Sequence, residues 1–142
     1  MGMGTTTANN FLKLLFNATN WANIADNTAT SPLTNLYLAL HTADPGAGGA
    51  QNTSEVAYTS YARVAVARTS GGFTVTTNSV ALAANQSFPQ CTGGSATATY
   101  FSVGTASSGA GVILFSGPLA ASLSISNNIT PILTTGTTIT ET

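Results

Sequence analysis

Charge is what this chain has least of. Only seven of its 142 residues are formally charged: Lys13, Asp26, Asp44, Glu55, Arg63, Arg68 and Glu141. That is 5% of the chain, where about 25% is usual. Three basic residues cannot neutralise the several phosphates that even non-specific binding engages, so no nucleic-acid partner is expected. Cysteine is almost absent. The lone Cys91 excludes an internal disulfide, has no metal-ligand spacing around it, and reads as a small buried apolar residue. Long apolar runs are missing as well. None approaches the roughly 20 residues of a membrane helix, so no membrane partner is expected. The stretch FLKLLF is too short for a signal-peptide core, is broken by Lys13 and follows no basic segment, which points to folding in the cytoplasm.

What is present is neutral polarity. Thr, Ser and Asn make up 51 residues, the hydrophobic share is an ordinary 43%, and the formal net charge is −1. The length suits one domain with a single core. A near-zero net charge favours association, because like charge is what keeps free domains apart. Much of this surface is therefore expected to lie against neighbouring proteins.

Two regions are legible. Residues 1–31 read as an N-terminal helix followed by a connecting arm. In TTTANNFLKLLFN, Thr6 or Thr7 can cap a helix of about ten residues, with Phe11, Leu14 and Leu15 along one face and Leu12 and Phe16 flanking. Such a helix is marginal alone and must pack on something. The following Asn-rich segment has no period, and Trp21 and Ile24 are its anchors. Residues 32–142 read as a β-sandwich domain. Strand patterns recur in TNLYLALHT, YTSYARVAVAR, GGFTVTT, TATYFSVG, GVILFSG, LAASLSIS and TTITET, separated by Gly, Pro or Asn turns. GVILFSG, being continuously apolar, reads as a central strand covered on both faces. In LAASLSIS, Leu119, Ala121, Leu123 and Ile125 point inward and the serines outward. Seven to nine short strands without intervening helices indicate an all-β fold, an antiparallel sandwich or jelly-roll-like barrel with a short N-terminal helix and extended arm.

No segment carries a catalytic signature. The only histidine, His41, could serve as a base with Asp44 orienting it and any of 14 serines as nucleophile. No GxSxG elbow is present, however, and an odd separation puts His41 and Asp44 on opposite faces of a strand. Asp44 instead opens the Asp-Pro-Gly turn and accepts a backbone hydrogen bond, leaving His41 as a strand-end residue. The four acids show no pairing for glycoside cleavage, and no metal cluster is visible. The glycines of GAGG (46–49) and SSGAG (107–111) lack the GK[ST] ending of a phosphate loop and read as hairpin loops. Arg63 can pair with Glu55 or reach a neighbouring subunit. Trp21, Tyr37, Tyr58, Tyr61 and Tyr100 are candidates for a sugar platform, although strand tyrosines are commonly packing residues. No catalytic, cofactor-binding or metal-ligating residue is assigned, and no cofactor is expected.

LYLALHTADPG, SEVAYTSYARVAVAR and CTGGSATATYFSVGTASSGAGVILFSGPLAASLSISNNITP together resemble a group of short bacteriophage virion structural proteins often labelled tail-fibre-like. The likeness runs from about Phe11 to the C-terminus. It implies a phage structural protein, located in the virion and assembled in the host cytoplasm, with no active residues to carry over. A compact domain with an arm suits a capsid decoration or cement protein that stabilises the head. A tail or tail-fibre-associated part, with receptor or glycan binding, is the alternative. The expected partners are the major capsid protein or other virion proteins, together with further copies of the chain, for which a trimer is one arrangement. The expected contact residues are Phe11, Leu14, Leu15, Phe16, Trp21, Ile24 and Arg63.

Overall fold

A computed structural model describes residues 5–21 and 32–140. It contains one helix, α1 (Thr5–Asn17), and nine strands. These are β1 (Asn35–His41), β2 (Val64–Ala67), β3 (Phe73–Thr76), β4 (Ser79–Leu82), β5 (Gln86–Ser87), β6 (Ala96–Gly104), β7 (Ile113–Ile125), β8 (Ile132–Leu133) and β9 (Thr138–Thr140). They form a four-stranded sheet in the order β2-β1-β6-β7, a three-stranded sheet β3-β4-β9 and a two-stranded sheet β5-β8. The pairings β1–β6, β6–β7, β3–β4, β4–β9 and β5–β8 are all antiparallel. The chain is thus mostly β, with one short helix, and its open sheets are sandwich-like. Among the described residues no sheet closes into a barrel, so the barrel half of the sequence expectation falls away.

The contacts divide the chain into two compact units. The first comprises, of the described residues, 5–21, 32–35, 66–85 and 134–140. In it β3 and β4 form a hairpin, with Phe73 opposite Leu82 and Val75 opposite Val80. Ile139 of β9 pairs with Val80 on the far side. Helix α1 lays Ala8, Leu12 and Phe16, all essentially inaccessible, towards this hairpin. Phe16 meets Phe73 edge-to-face, with ring centroids 4.9 Å apart, an arrangement that aromatic quadrupoles favour. The buried stripe therefore follows i, i+4, i+8 through the residues that the sequence reading placed on the flanks. Phe11, Leu14 and Leu15 are half-buried beside it. The apolar set spans more than one face, and only the hairpin's position selects which part is fully covered.

The end of α1 has an unusual cap. The last carbonyls of a helix have no partner within it. Arg68 donates from Nε to the Leu15 carbonyl and from Nη2 to that of Leu14. A cation there also matches the negative end of the helix dipole. Burial lowers the pKa of this guanidinium, yet it stays charged because its ordinary value is so high.

The second unit comprises residues 36–65 and 86–133. Strand β1 is buried from Leu38 to His41 without interruption, because β1 is an inner strand of its sheet. Its partner β6 buries Ala98, Phe101 and Val103. GVILFSG and LAASLSIS, read as two strands, are one 13-residue strand, β7. It lies at the edge of its sheet, so GVILFSG is not the central, doubly covered strand expected. An edge position is what lets Gly117 and Pro118 sit mid-strand, since proline can donate to no neighbour. The register confirms a bulge there: Ala98 faces Leu123 while Tyr100 faces Pro118, leaving four β7 residues opposite Thr99 alone. The alternation expected in LAASLSIS holds for Leu119, Leu123 and Ile125 against exposed Ser122, Ser124 and Ser126, but Ala121 is exposed. Only Val64–Ala67 of YTSYARVAVAR is a strand. Ser60 sits at φ 81° and the Tyr61 N–H turns back to the Tyr58 carbonyl, so the chain bends where the pattern suggested extension. Cys91 is buried and unpaired, as expected.

Replacing Phe16 by Ala should cost about 3–5 kcal/mol, the usual penalty for a large cavity in a core. Lys13→Ala on the same helix should stay within about 0.5 kcal/mol. Urea unfolding followed by circular dichroism checks both, and equal effects would contradict the assigned buried face.

Candidate functional site

The second unit contains a buried polar cluster built around Arg63. Local pairing positions its acid. The His41–Glu55 bridge, with Thr42 N–H to Ser54 O at 2.8 Å and Val56 N–H to Leu40 O at 3.0 Å, lays residues 54–56 along the end of β1. This brings Glu55 to Arg63. The guanidinium Nε donates to Glu55 Oε1 at 2.7 Å and Nη2 to Oε2 at 2.8 Å, the bidentate geometry in which planar guanidinium matches carboxylate. Nη1 donates to the Ala106 carbonyl at 2.9 Å and Nη2 to that of Gly109 at 2.7 Å. The remaining Nη1 proton points to Gln51 Oε1 at 3.5 Å. The Arg63 side chain is 2% exposed and that of Glu55 16%. The hydrogen bonds it donates to Glu55 hold the guanidinium pKa above its already high value.

Tyr61 and Gln51 complete the surroundings. The Tyr61 phenol accepts from the Leu40 N–H at 3.1 Å and donates to Glu55 Oε1 at 2.9 Å. Burial pushes its pKa far up, so it remains a donor at all working pH. Its ring stacks on Phe88 and meets Tyr58 edge-on. Tyr58, whose hydroxyl donates to the Pro89 carbonyl, is pushed by burial to about 12. Gln51 is fully buried, donating to the Tyr37 carbonyl and accepting from the Ala106 N–H. Two positions against it have no room for a side chain. A Cβ on Gly104 would lie 2.1 Å from Gln51 Cδ, and one on Gly111 2.3 Å from its Oε1. The glycines of SSGAG are thus not a phosphate cradle. Gly111 makes room for Gln51, while Gly109, at φ 72° with open space beside it, accepts from Arg63 through its carbonyl.

His41 lies within the same region, wholly inaccessible. Its Nδ1 is 2.8 Å from the Thr53 carbonyl and its Nε2 2.8 Å from Ser102 Oγ. A carbonyl can only accept, so Nδ1 carries the proton and Nε2 accepts from the serine hydroxyl. This pair has the spacing of a nucleophile and base, but both residues are 0% exposed and no substrate reaches them. Asp44 is exposed and accepts from the Gly46 N–H at 2.8 Å, which is the turn role expected of it. Burial lowers the His41 pKa, helped by the charge of Arg63 and opposed by Thr53 and Glu55. Among the described residues no three His, Cys, Asp or Glu side chains come together, and no buried side-chain nitrogen or oxygen lacks a hydrogen bond.

Of the residues singled out for contact, Phe11, Leu14, Leu15 and Trp21 are half-buried. Phe16 is fully covered by its own unit. Arg63 is engaged with Glu55, the intramolecular option of the two it had. Ile24 lies outside the described residues. The Arg63–Glu55 pair was legible because so few charges compete for each other. Gln51 and Ser102 were not, since nothing distinguishes one buried polar residue among so many in this chain.

Among the described residues the site is a hydrogen-bonded polar interior held in an antiparallel β framework. The family model described as Podophage GP4 fiber I protein gp80 matches residues 2–140, and the chain belongs to that family. No curated protein matches it.

Two measurements follow from this geometry. Arg63→Met leaves a largely buried carboxylate without its cation and should lower stability by about 3–5 kcal/mol. Adding Glu55→Gln should restore part of that loss in urea titrations, because the stranded charge is then gone. The second concerns pH. The folded His41 pKa lies below its unfolded 6.5, so its contribution is complete above pH 6.5. As pH falls below 6.5 the unfolded chain takes up the proton first, and stability declines until the folded pKa is reached. Melting temperature should fall across this window in the native chain and stay flatter in His41→Gln. Parallel curves would remove His41 as the cause.

Proposed function

We propose that this chain is a fibre-associated structural subunit of a phage particle that works by adhesion to other virion proteins and not by catalysis. The family description, a podophage fibre protein, supports this reading. The sequence put capsid decoration first and the tail fibre second, and the family match supports the reverse order.

The charge distribution supports the adhesive part. Five of the seven charged residues are described. Arg63 and Glu55 pair with each other, Arg68 caps α1 and Asp44 caps a turn. Lys13 is the remaining one, half-buried on the helix. The outer surface is therefore a field of Thr, Ser and Asn with almost no ions to hold neighbours apart. Leu33, Val112, Ile129 and Ile132 are exposed apolar residues on it. The proposed partners are other virion proteins and further copies of this chain, and the half-buried Phe11, Leu14, Leu15 and Trp21 are the anchoring set. Repetition of modest contacts by symmetry then supplies avidity.

Immunogold labelling of purified particles with antibody to this chain tests the location. Gold is expected at the tail fibres. Gold spread over the head would replace this reading with capsid decoration.

A further inference from the structure

We propose that the cavity beside the Arg63–Glu55 pair is a subsite for one neutral sugar ring. This goes beyond the fibre reading and does not rest on it. The cavity has a volume of about 220 Å³, and Glu55, Tyr61, Ser107, Ser108 and Gly109 line it. Sites that engulf a drug-sized ligand run to about 300–1,000 Å³. This one takes a single ring or the end of a chain.

Its chemistry selects the ligand by elimination. No cationic donor is open to an anion, because Arg63 is 2% exposed and all its N–H groups are directed at Glu55, Gln51, Ala106 and Gly109. A cation needs an unbalanced carboxylate, and Glu55 is balanced by Arg63. What remains open suits hydroxyl groups. Glu55 Oε1 already accepts from Arg63 and Tyr61, whereas Oε2 accepts from Arg63 alone. A carboxylate oxygen has two acceptor positions, so Oε2 has one left. Ser107 and Ser108 add exposed hydroxyls that both donate and accept. Tyr61, fixed by its phenol bonds and by Phe88, adds an apolar wall for C–H groups. Hydroxyl partners next to an aromatic wall match a ring that carries both O–H and C–H groups.

The site is also preformed. Arg63 ties down both Ala106 and Gly109, so the loop bearing the serines is ordered before a ligand arrives, which reduces the entropy cost of binding.

The test is titration of the isotope-labelled full chain with methyl glycosides of glucose, galactose, mannose and N-acetylglucosamine, followed by amide NMR. Saturable millimolar shifts are expected at Glu55, Tyr61–Arg63 and Ser107–Gly109 with at least one of them. Ser108→Phe, which fills the cavity from an exposed loop, should weaken binding at least about tenfold. The double change Ser107→Ala with Ser108→Ala should weaken it several-fold without adding bulk. No saturable shift at these amides with any of the four sugars would overturn the proposal. So would unchanged affinity in both variants, or tighter binding of acetamide or sialic acid than of every neutral sugar. Position in the particle is read separately by the gold labelling, so either conclusion can fail alone.

Discussion

The Arg63–Glu55 ion pair is the interaction on which the second unit is organised. Its five donors reach a carboxylate, a side-chain amide and two loop carbonyls, and the carboxylate in turn holds Tyr61. Removing ions from water is costly, so such a pair adds less stability than its short distances suggest. Its effect is geometric. It sets where residues 106–109 run and orients the phenol that satisfies the Leu40 N–H. With Gln51 it determines which positions must be glycine. The neighbouring His41 is held neutral by the same lack of water. Each member has a partner because a half-satisfied buried network is worse than none.

This interior use of charge has an exterior consequence. A chain with seven charged residues that pairs two of them inside and turns a third to a helix end leaves little to repel its neighbours. Neutral hydroxyl and amide groups hydrogen-bond to water and to protein alike, and an ion-poor surface pays a small desolvation cost when another subunit covers it. That is a suitable surface for a part that stays assembled in a particle, and it agrees with membership of a phage fibre family. It is equally compatible with a small hydroxyl-rich ligand in a cavity whose only ions cancel.

Particular elements show what was readable beforehand. The period-2 runs around Leu38, Phe73 and Val103 announced strands, and the Asp-Pro-Gly turn announced the role of Asp44. The helix was visible in FLKLLF, but its buried stripe was misplaced by one position, because both Leu12–Phe16 and Phe11–Leu15 are apolar. The two-residue strands β5 and β8 were too short to leave a period, and β4, as long as β3, was not read as a strand. β7 was split at Gly117-Pro118 because local rules treat that pair as a break, whereas an edge strand tolerates it. His41 was read as structural, although the partners that make it so, Thr53 and Ser102, are remote in sequence.

The sequence by itself therefore determined the all-β class, the helix, the turn chemistry, the buried Cys91 and the scarcity of charge, because these depend on residue type and on spacing within a few positions. Tertiary structure decided which helix face is covered, which strand is the edge, and that Glu55, Arg63, Gln51 and the 106–109 loop form one network. Those outcomes are set by pairings between segments more than 50 residues apart, such as His41 with Ser102, and periodicity within a segment carries no information about its distant partner.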